Sequence, residues 1–281
     1  MRKGIIKNSS CSELKEISRN LRKRIIETSS NSRIPHIGSC LSCLDILVYL
    51  YWNELNINPE EPTAYNRDRF LLSKGHGAPG LFQVLAERGF FKKEKLLEFG
   101  KPGSVFHEHP PKPGYIPGVE AATGSLGHGF SMALGMAVST KITSTNFRCY
   151  TMLSDGECNE GSIWEAALLA PKLNVDNLTV IVDFNKWQAT GRSEEITSLQ
   201  PLDLKWKSFG WHVQEINGHD FDEIAKALKM AKSEKNQPSI IIANTIKGKG
   251  VSFMEDNNNW HYRIPNKEEL KLAVEELDVG L

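Results

Sequence analysis

The sequence predicts an α/β protein in three layers, a mostly parallel sheet with helices on both faces. Strand-like and helix-like patterns alternate along the chain, which favours parallel pairing through helical crossovers. The stretch Leu178-Thr-Val-Ile-Val-Asp-Phe184 is apolar almost throughout, as in a strand covered on both sides. Gly, Asp, Asn, Lys and His collect where these strands end, the edge at which ligands bind in such sheets.

In chain order, residues 12–29 and 40–55 read as helices from apolar residues recurring at helical spacing. Residues 68–73 form a short strand running into Lys74-Gly-His-Gly77, and a helix over 79–88 comes next. Residues 100–124 are rich in Gly, Pro and His and read as a long irregular loop, a type that is usually functional in a compact domain. A helix rich in small residues covers 126–139. Strands over 147–153, 178–184, 211–216 and 239–245 alternate with helices over 163–173 and 221–231.

Three of these strands end in Ser154-Asp-Gly-Glu157, Asn185-Lys-Trp187 and Lys247-Gly-Lys-Gly250, so the three segments converge on one edge. Asp155 and Asn185 stand thirty positions apart with one helix between them, and a single β-α-β unit brings their side-chain oxygens together. Oxygen ligands of this kind suit Mg2+, or another divalent cation such as Ca2+ or Mn2+, usually completed by phosphate and water. Gly156 permits close approach of the backbone, and helices starting near Ser162 and after Gly124-Ser-Leu-Gly127 would offer N–H groups to an anion.

The 281 residues suffice for one domain over 1–281. Thirty-four basic residues balance thirty-four acidic ones, which removes the global field that nucleic acid or an anionic membrane surface would need. The basic N-terminus leads into polar residues with no apolar run long enough for a signal peptide or a span, so a cytoplasmic location is expected. Five cysteines fit reduced thiols. Cys40 and Cys43 have redox or half-zinc-site spacing, but the apolar helical pattern after them favours a packing role.

Ser154-Asp-Gly-Glu-Cys-Asn-Glu-Gly161 through Asp183-Phe-Asn185 resembles the thiamine diphosphate motif of the transketolase family. Further segments resemble that family in the same order: Pro35-His-Ile-Gly-Ser39, Ser73-Lys-Gly-His-Gly-Ala-Pro79, His109-Pro110, Gly118-Val-Glu-Ala-Ala-Thr-Gly-Ser-Leu-Gly127, Thr245-Ile-Lys-Gly-Lys-Gly250 and Trp260-His261. The resemblance runs from about residue 15 to 265.

That resemblance implies thiamine diphosphate and a divalent cation as cofactors. It also implies a set of site residues. Asp155, Asn185 and the main-chain carbonyl of Trp187 would hold the metal. Cofactor contacts would come from His76, Gly124, Ser125, Leu126, Asp155, Gly156, Glu157, Asn185, Lys247 and His261. His36, Ser39, Lys74, His109 and His261 would face the substrate, with His36 and His109 hydrogen-bonding donor hydroxyls and moving protons. His36, His76, His109, His261 and Glu160 form the implied catalytic set, and Glu160 matches a glutamate at the family's dimer interface. For Lys74 and Lys247 the alternative is a solvated lysine, for Ser39 a helix-capping serine, and for Glu160 a carboxylate favoured by a helix start.

Complete transketolases carry a pyrimidine-binding domain and a C-terminal domain that nothing here matches. The resemblance therefore implies the N-terminal subunit of a split transketolase, working with a separate C-terminal subunit as a dimer of heterodimers, a heterotetramer. It would transfer a two-carbon ketol unit from a ketose, phosphorylated or not, to an aldose. A 1-deoxyxylulose 5-phosphate synthase-like or 2-oxo acid decarboxylase-like subunit and a non-catalytic regulatory relative are the alternatives. Three departures stand out: Ser154 for a common glycine, Ser125 for a common proline, and His107-Glu108 for a Pro-Gly pair before His109. The last lies in the loop near the substrate and allows for a non-standard sugar acceptor.

Overall fold

A computed structural model describes residues 8–279. The basic residues 1–7, expected to hold no signal peptide, lie outside the described residues. Five strands, β1 (Arg69–Leu72), β2 (Cys149–Ser154), β3 (Leu178–Phe184), β4 (His212–Asn217) and β5 (Ser239–Asn244), form one sheet in the order β1-β2-β3-β5-β4. All four pairings are parallel, so the sheet is wholly rather than mostly parallel.

Strand alternation builds two cores. Phe70, Leu72, Tyr150, Met152, Ile181, Ile241 and Ala243 face one side, under α1 (Cys11–Ser32), α2 (Ile37–Ser42), α3 (Leu44–Tyr49), α4 (Ala78–Arg88) and α9 (Phe221–Ser233), whose apolar residues share that cluster. Leu71, Cys149, Leu153, Val180, Val182, Ile240 and Ile242 face the other, under α5 (His128–Thr143), α6 (Gly161–Lys172) and α8 (Leu202–Ser208). With period two, neighbouring residues go to opposite faces, and both faces of the inner strands are covered. This is the expected three-layer fold.

Local chemistry sets the helix ends. Ser10 and Glu13 close a reciprocal capping box at the start of α1, and the Asp220 side chain accepts from Asp222 N–H and Glu223 N–H at the start of α9. The single helix expected over 40–55 is instead α2, α3 and a wide turn over Leu50–Glu54. Cys43 Sγ donates to the Ser39 carbonyl at 3.3 Å and competes with the helical ladder where it breaks. The helix expected from 126 begins at His128, because Gly127 stands at φ 83° with its N–H donated to Glu157.

The short helix α7 (Ser193–Ile196), α8 and α10 (Lys267–Val279) complete the chain and had no counterpart in the sequence pattern read above. The Cys40-x-x-Cys43 pair is reduced and fully buried, with burial pushing the thiols up to about 11 and 12, in keeping with the packing role. No helix among the described residues is long and apolar enough to cross a membrane.

Candidate active site

The carboxyl ends of β1, β2, β3 and β5 hold the chemistry. Ser154 of β2 pairs in register with Asp183 of β3, so Asp155 and Asn185 each lie just past the ends of adjacent strands. Asp155 is fully buried; its Oδ1 accepts from Gly156 N–H at 3.0 Å and its Oδ2 from Ser193 Oγ at 2.7 Å. Burial, with the Asp183 charge nearby, raises its pKa to about 6 despite the Ser193 hydrogen bond. Among the described residues no cation stands within ion-pair distance of it. A buried carboxylate without a cation is unfavourable, and a metal ion is the partner such a group fits.

Asn185 is buried, with Nδ2 donating to Asp183 Oδ2 at 3.1 Å and Oδ1 accepting from Trp187 N–H at 3.1 Å. These bonds orient the amide with its oxygen toward the 185–187 turn, where Lys186 adopts φ 69°. The Trp187 indole is clamped by Arg192 over its face at 3.8 Å and by Asp256, which accepts from Nε1 at 2.8 Å. No three His, Cys, Asp or Glu side chains converge as a metal-binding group among the described residues, so a metal here depends on amide or carbonyl oxygens beside Asp155.

Asp183 itself, part of the motif but given no role from the sequence, is a buried hub. It accepts from Ser42 at 2.6 Å and from Lys74, Thr245 and Asn185. Lys74 and Lys247 are wholly buried, which overturns the solvated alternative for both. Burial works against the charge on Lys74, yet Asp183 reverses the balance and raises its pKa. Among the described residues no carboxylate stands within ion-pair distance of Lys247, and burial next to Lys74 lowers its pKa to about 7. Ser39 is the third residue of α2 and not its cap, a position held by His36.

Four histidines gather around this edge. His36 precedes α2, His76 sits in the turn Gly75–Gly77 after β1, His109 lies in the long loop, and His261 ends the turn Asn258–His261. Ring centroids lie 5.7 Å apart for His36 and His76, 6.2 Å for His36 and His109, 5.1 Å for His36 and His261, and 5.8 Å for His76 and His261. Burial first, then the neighbouring lysines and histidines, holds His36 down to about 4, His261 to about 3 and His76 well below its ordinary value. All three are neutral at physiological pH. Lys247 Nζ lies 2.9 Å from His261 Nδ1, and with the lysine as donor the proton of the neutral ring sits on Nε2.

Close approach of loops completes the edge. A Cβ on Gly75 would stand 2.6 Å from the backbone of Thr123 and Gly124, and one on Gly124, at φ 150°, would meet the His109 ring at 2.8 Å. Glu157 is buried with Oε1 accepting from Ser73 Oγ at 2.6 Å and Gly127 N–H at 2.8 Å, tying β1 to the entry of α5, while Oε2 is left unpartnered. Gly156 is half-buried against Gln188, Leu126 is half-buried, and Ser125 is exposed. Glu160 stands apart from the histidines as the exposed residue heading α6, without a capping bond from its side chain. Ser42, Ser73, Asp183, Ser193 and Asn258 were not singled out from sequence. Of these, Asp183 in the quoted Asp-Phe-Asn run and Ser73 at the head of the quoted Ser-Lys-Gly-His run carried a signal.

Comparison with known proteins identifies the family. Residues 14–278 match the family model described as transketolase, thiamine diphosphate binding domain. The chain is 42% identical over 258 residues to a 6-deoxy-6-sulfo-D-fructose transketolase subunit of Clostridium sp. (strain MSTE9), covering 92% of this chain and 94% of that one. It is 38% identical to an apulose-4-phosphate transketolase subunit of Phocaeicola vulgatus, covering 91% and 90%. The solved transketolase of Leishmania mexicana superposes with a TM-score of 0.90 at 26% identity, over 94% of this chain and 41% of that one. The chain thus spans about two fifths of that transketolase and nearly all of the two subunits. It belongs to the transketolase family, a family of transferases, as its N-terminal, thiamine diphosphate-binding part.

Proposed function

We propose that this chain is a single diphosphate- and metal-binding domain that transfers a two-carbon ketol unit from a ketose to an aldose, working in the cytoplasm with a separate subunit that carries the pyrimidine-binding half. The observation that carries the proposal is the buried Asp155 carboxylate without a cation, set beside Asn185 on the edge where four histidines gather. Asp155, Asn185 and the Trp187 carbonyl would hold Mg2+, and the cation would complete the Asp155 charge. Gly156 and the segment Gly124, Ser125 and Leu126 would lie against the diphosphate, with Lys247, His76 and His261 supplying donors.

Thiamine diphosphate, when bound, supplies the carbanion chemistry that breaks and makes the carbon–carbon bond. The protein's share is orientation and proton handling. The neutral His261 would offer Nε2–H as a donor when Lys247 donates to its Nδ1, the two atoms lying 2.9 Å apart. The neutral rings of His36 and His76 are suited to accept or relay a proton, and His109 faces His36 from the long loop at 6.2 Å. Ser39 and Lys74 act beneath this layer, since the Lys74 ammonium is spent on Asp183 and the Ser39 carbonyl.

A partner is supported by the names of the two subunit relatives, which the chain covers nearly whole. It is also supported by an exposed apolar face on α5 and α6, where Met132, Leu168 and Leu169 face outward. A dimer of heterodimers, with Glu160 at the contact between sites, would cover it. The relatives' substrates, a sulfo-sugar and a sugar phosphate of an unusual kind, favour an uncommon ketose. The test is to combine the chain with the pyrimidine-binding subunit and to follow two-carbon transfer between ketoses and aldoses. Transfer only when both chains, thiamine diphosphate and Mg2+ are present is expected; carbon dioxide release from pyruvate in place of transfer would refute it.

A further inference from the structure

His36 is held rigidly by its backbone. Its N–H donates to the His261 carbonyl at 2.8 Å, its carbonyl accepts from Ser39 N–H and Cys40 N–H at 3.1 Å each, and it stands at φ 71°, a conformation uncommon for a side-chain-bearing residue. The ring is surrounded by His76, His109, His261 and Tyr262, at centroid distances of 5.1 to 6.2 Å. Its Nδ1 is buried and makes no hydrogen bond. Facing that atom at 3.8 Å is Glu108 Oε2, from a side chain 44% exposed against 12% for His36.

An unpaired buried ring nitrogen is unfavourable. A carboxylate can only accept, so a nitrogen that turns toward it must carry the proton. We propose that Glu108 is a positioning residue for ketol transfer, accepting Nδ1–H of His36 and so fixing the tautomer in which Nε2 is the basic nitrogen. The proposal deepens the ketol-transfer reading above and rests on it for its catalytic meaning. The gap exceeds a hydrogen bond by about 1 Å, a distance that a half-exposed side chain closes by rotation, as catalytic contacts do when substrate binds.

The lysines near the ring are engaged elsewhere. Lys74 is paired with Asp183, Lys247 donates to Asn258 and contacts His261, and the rings of His76 and His261 are neutral. Burial, with His109, Lys247 and Lys74, keeps His36 itself neutral, so its tautomer is the variable that matters. The outcome is complementary. With Lys247 as donor to its Nδ1, His261 presents a donor at Nε2, while Glu108 leaves His36 with an acceptor at Nε2, and the two rings are 5.1 Å apart. A sugar hydroxyl both donates and accepts, and a ketose is built of such groups.

The test reads the tautomer and the reaction separately. Nitrogen-15 spectra of the chain labelled at its eight histidines, with His36 assigned through His36→Gln, report which ring nitrogen carries the proton. Nδ1–H is expected in the wild type and in Glu108→Gln, whose amide oxygen still accepts, and a shift to Nε2–H in Glu108→Ala. The same tautomer in wild type and Glu108→Ala would overturn the proposal. With the partner subunit present, Glu108→Ala should lower kcat about tenfold with cofactor affinity unchanged, and Glu108→Gln should recover most of it. An unchanged kcat in Glu108→Ala would also overturn it. Absence of transfer by the wild type would refute the ketol-transfer reading, and the spectra would still decide what Glu108 does to His36.

Discussion

Lys74 and Asp183 form an ion pair in which neither side chain is exposed, set between the end of β1 and the middle of the site-bearing edge. The Asp183 carboxylate also accepts from Ser42, Thr245 and Asn185, and the Lys74 ammonium also donates to the Ser39 carbonyl at 2.9 Å. The pair thus connects α2, β1, β3 and the segment after β5. Breaking a buried pair by removing one partner costs about 3–5 kcal/mol, because the other charge stays buried. Lys74→Met and Asp183→Asn should each lower unfolding free energy by that order in urea titrations, and the double variant should cost less than the two added together. Losses within about 0.5 kcal/mol for each single variant would show that the pair does not organise the edge.

Lys247 supplies the pH dependence. Its folded pKa of about 7 lies below the ordinary lysine value of 10.5, so between those values the unfolded chain holds a proton that the folded chain has lost. Stability therefore rises with pH across that window, and the penalty is complete below it. An anion beside Lys247 restores the proton. Diphosphate binding at pH 8 should take up about half a proton or more, read by calorimetry in buffers of different ionisation enthalpy, and Lys247→Met should abolish the uptake. Equal heats in all buffers would contradict the assignment.

Gly75 is where two loops touch, and its added Cβ would meet main chain, which cannot rotate aside as a side chain can. Gly75→Ala should cost about 2 kcal/mol, a loss of several degrees in Tm, and should disturb the segment that carries Gly124 and faces His109. An unchanged Tm would mean that the two loops separate freely.

Thiol reactivity should divide the cysteines. Cys40, Cys43, Cys149 and Cys158 are buried, with burial raising each thiol, and Cys11 is half-buried. One thiol of five should react quickly with an aromatic disulfide reagent at pH 8, and Cys11→Ser should remove that phase. Rapid reaction of Cys40 or Cys43 would reopen a redox role for their spacing.

The strands and the site edge were legible in sequence because β-branched runs such as 178–184 and 239–245 have one physical explanation, burial on both faces. The break at Cys43 was not, because it depends on the Cys43 side chain competing for the Ser39 carbonyl, an effect that periodicity does not record. Helix α10 was missed although Asn266 and Glu269 form a reciprocal cap at its start, a spacing that could have been read. At the site, motif matching reached His36, His76, His109 and His261, and the structure brings all four together. It left out Asp183 and Ser193, whose value lies in contacts made across the fold. The burial of Lys74 was hidden for the same reason: an isolated lysine reads as solvated until its partner on β3 is known.

Calorimetric titration of thiamine diphosphate into the chain, with Mg2+, with a chelator, and with Asp155→Ala in Mg2+, tests the metal and diphosphate site most directly. Binding that requires Mg2+, is lost with the chelator and weakens at least about a hundredfold in the variant, whose fold persists by circular dichroism, is the predicted result. Equal affinity under all three conditions, or no binding even with the pyrimidine-binding subunit present, would contradict a metal and diphosphate site at the ends of β2 and β3.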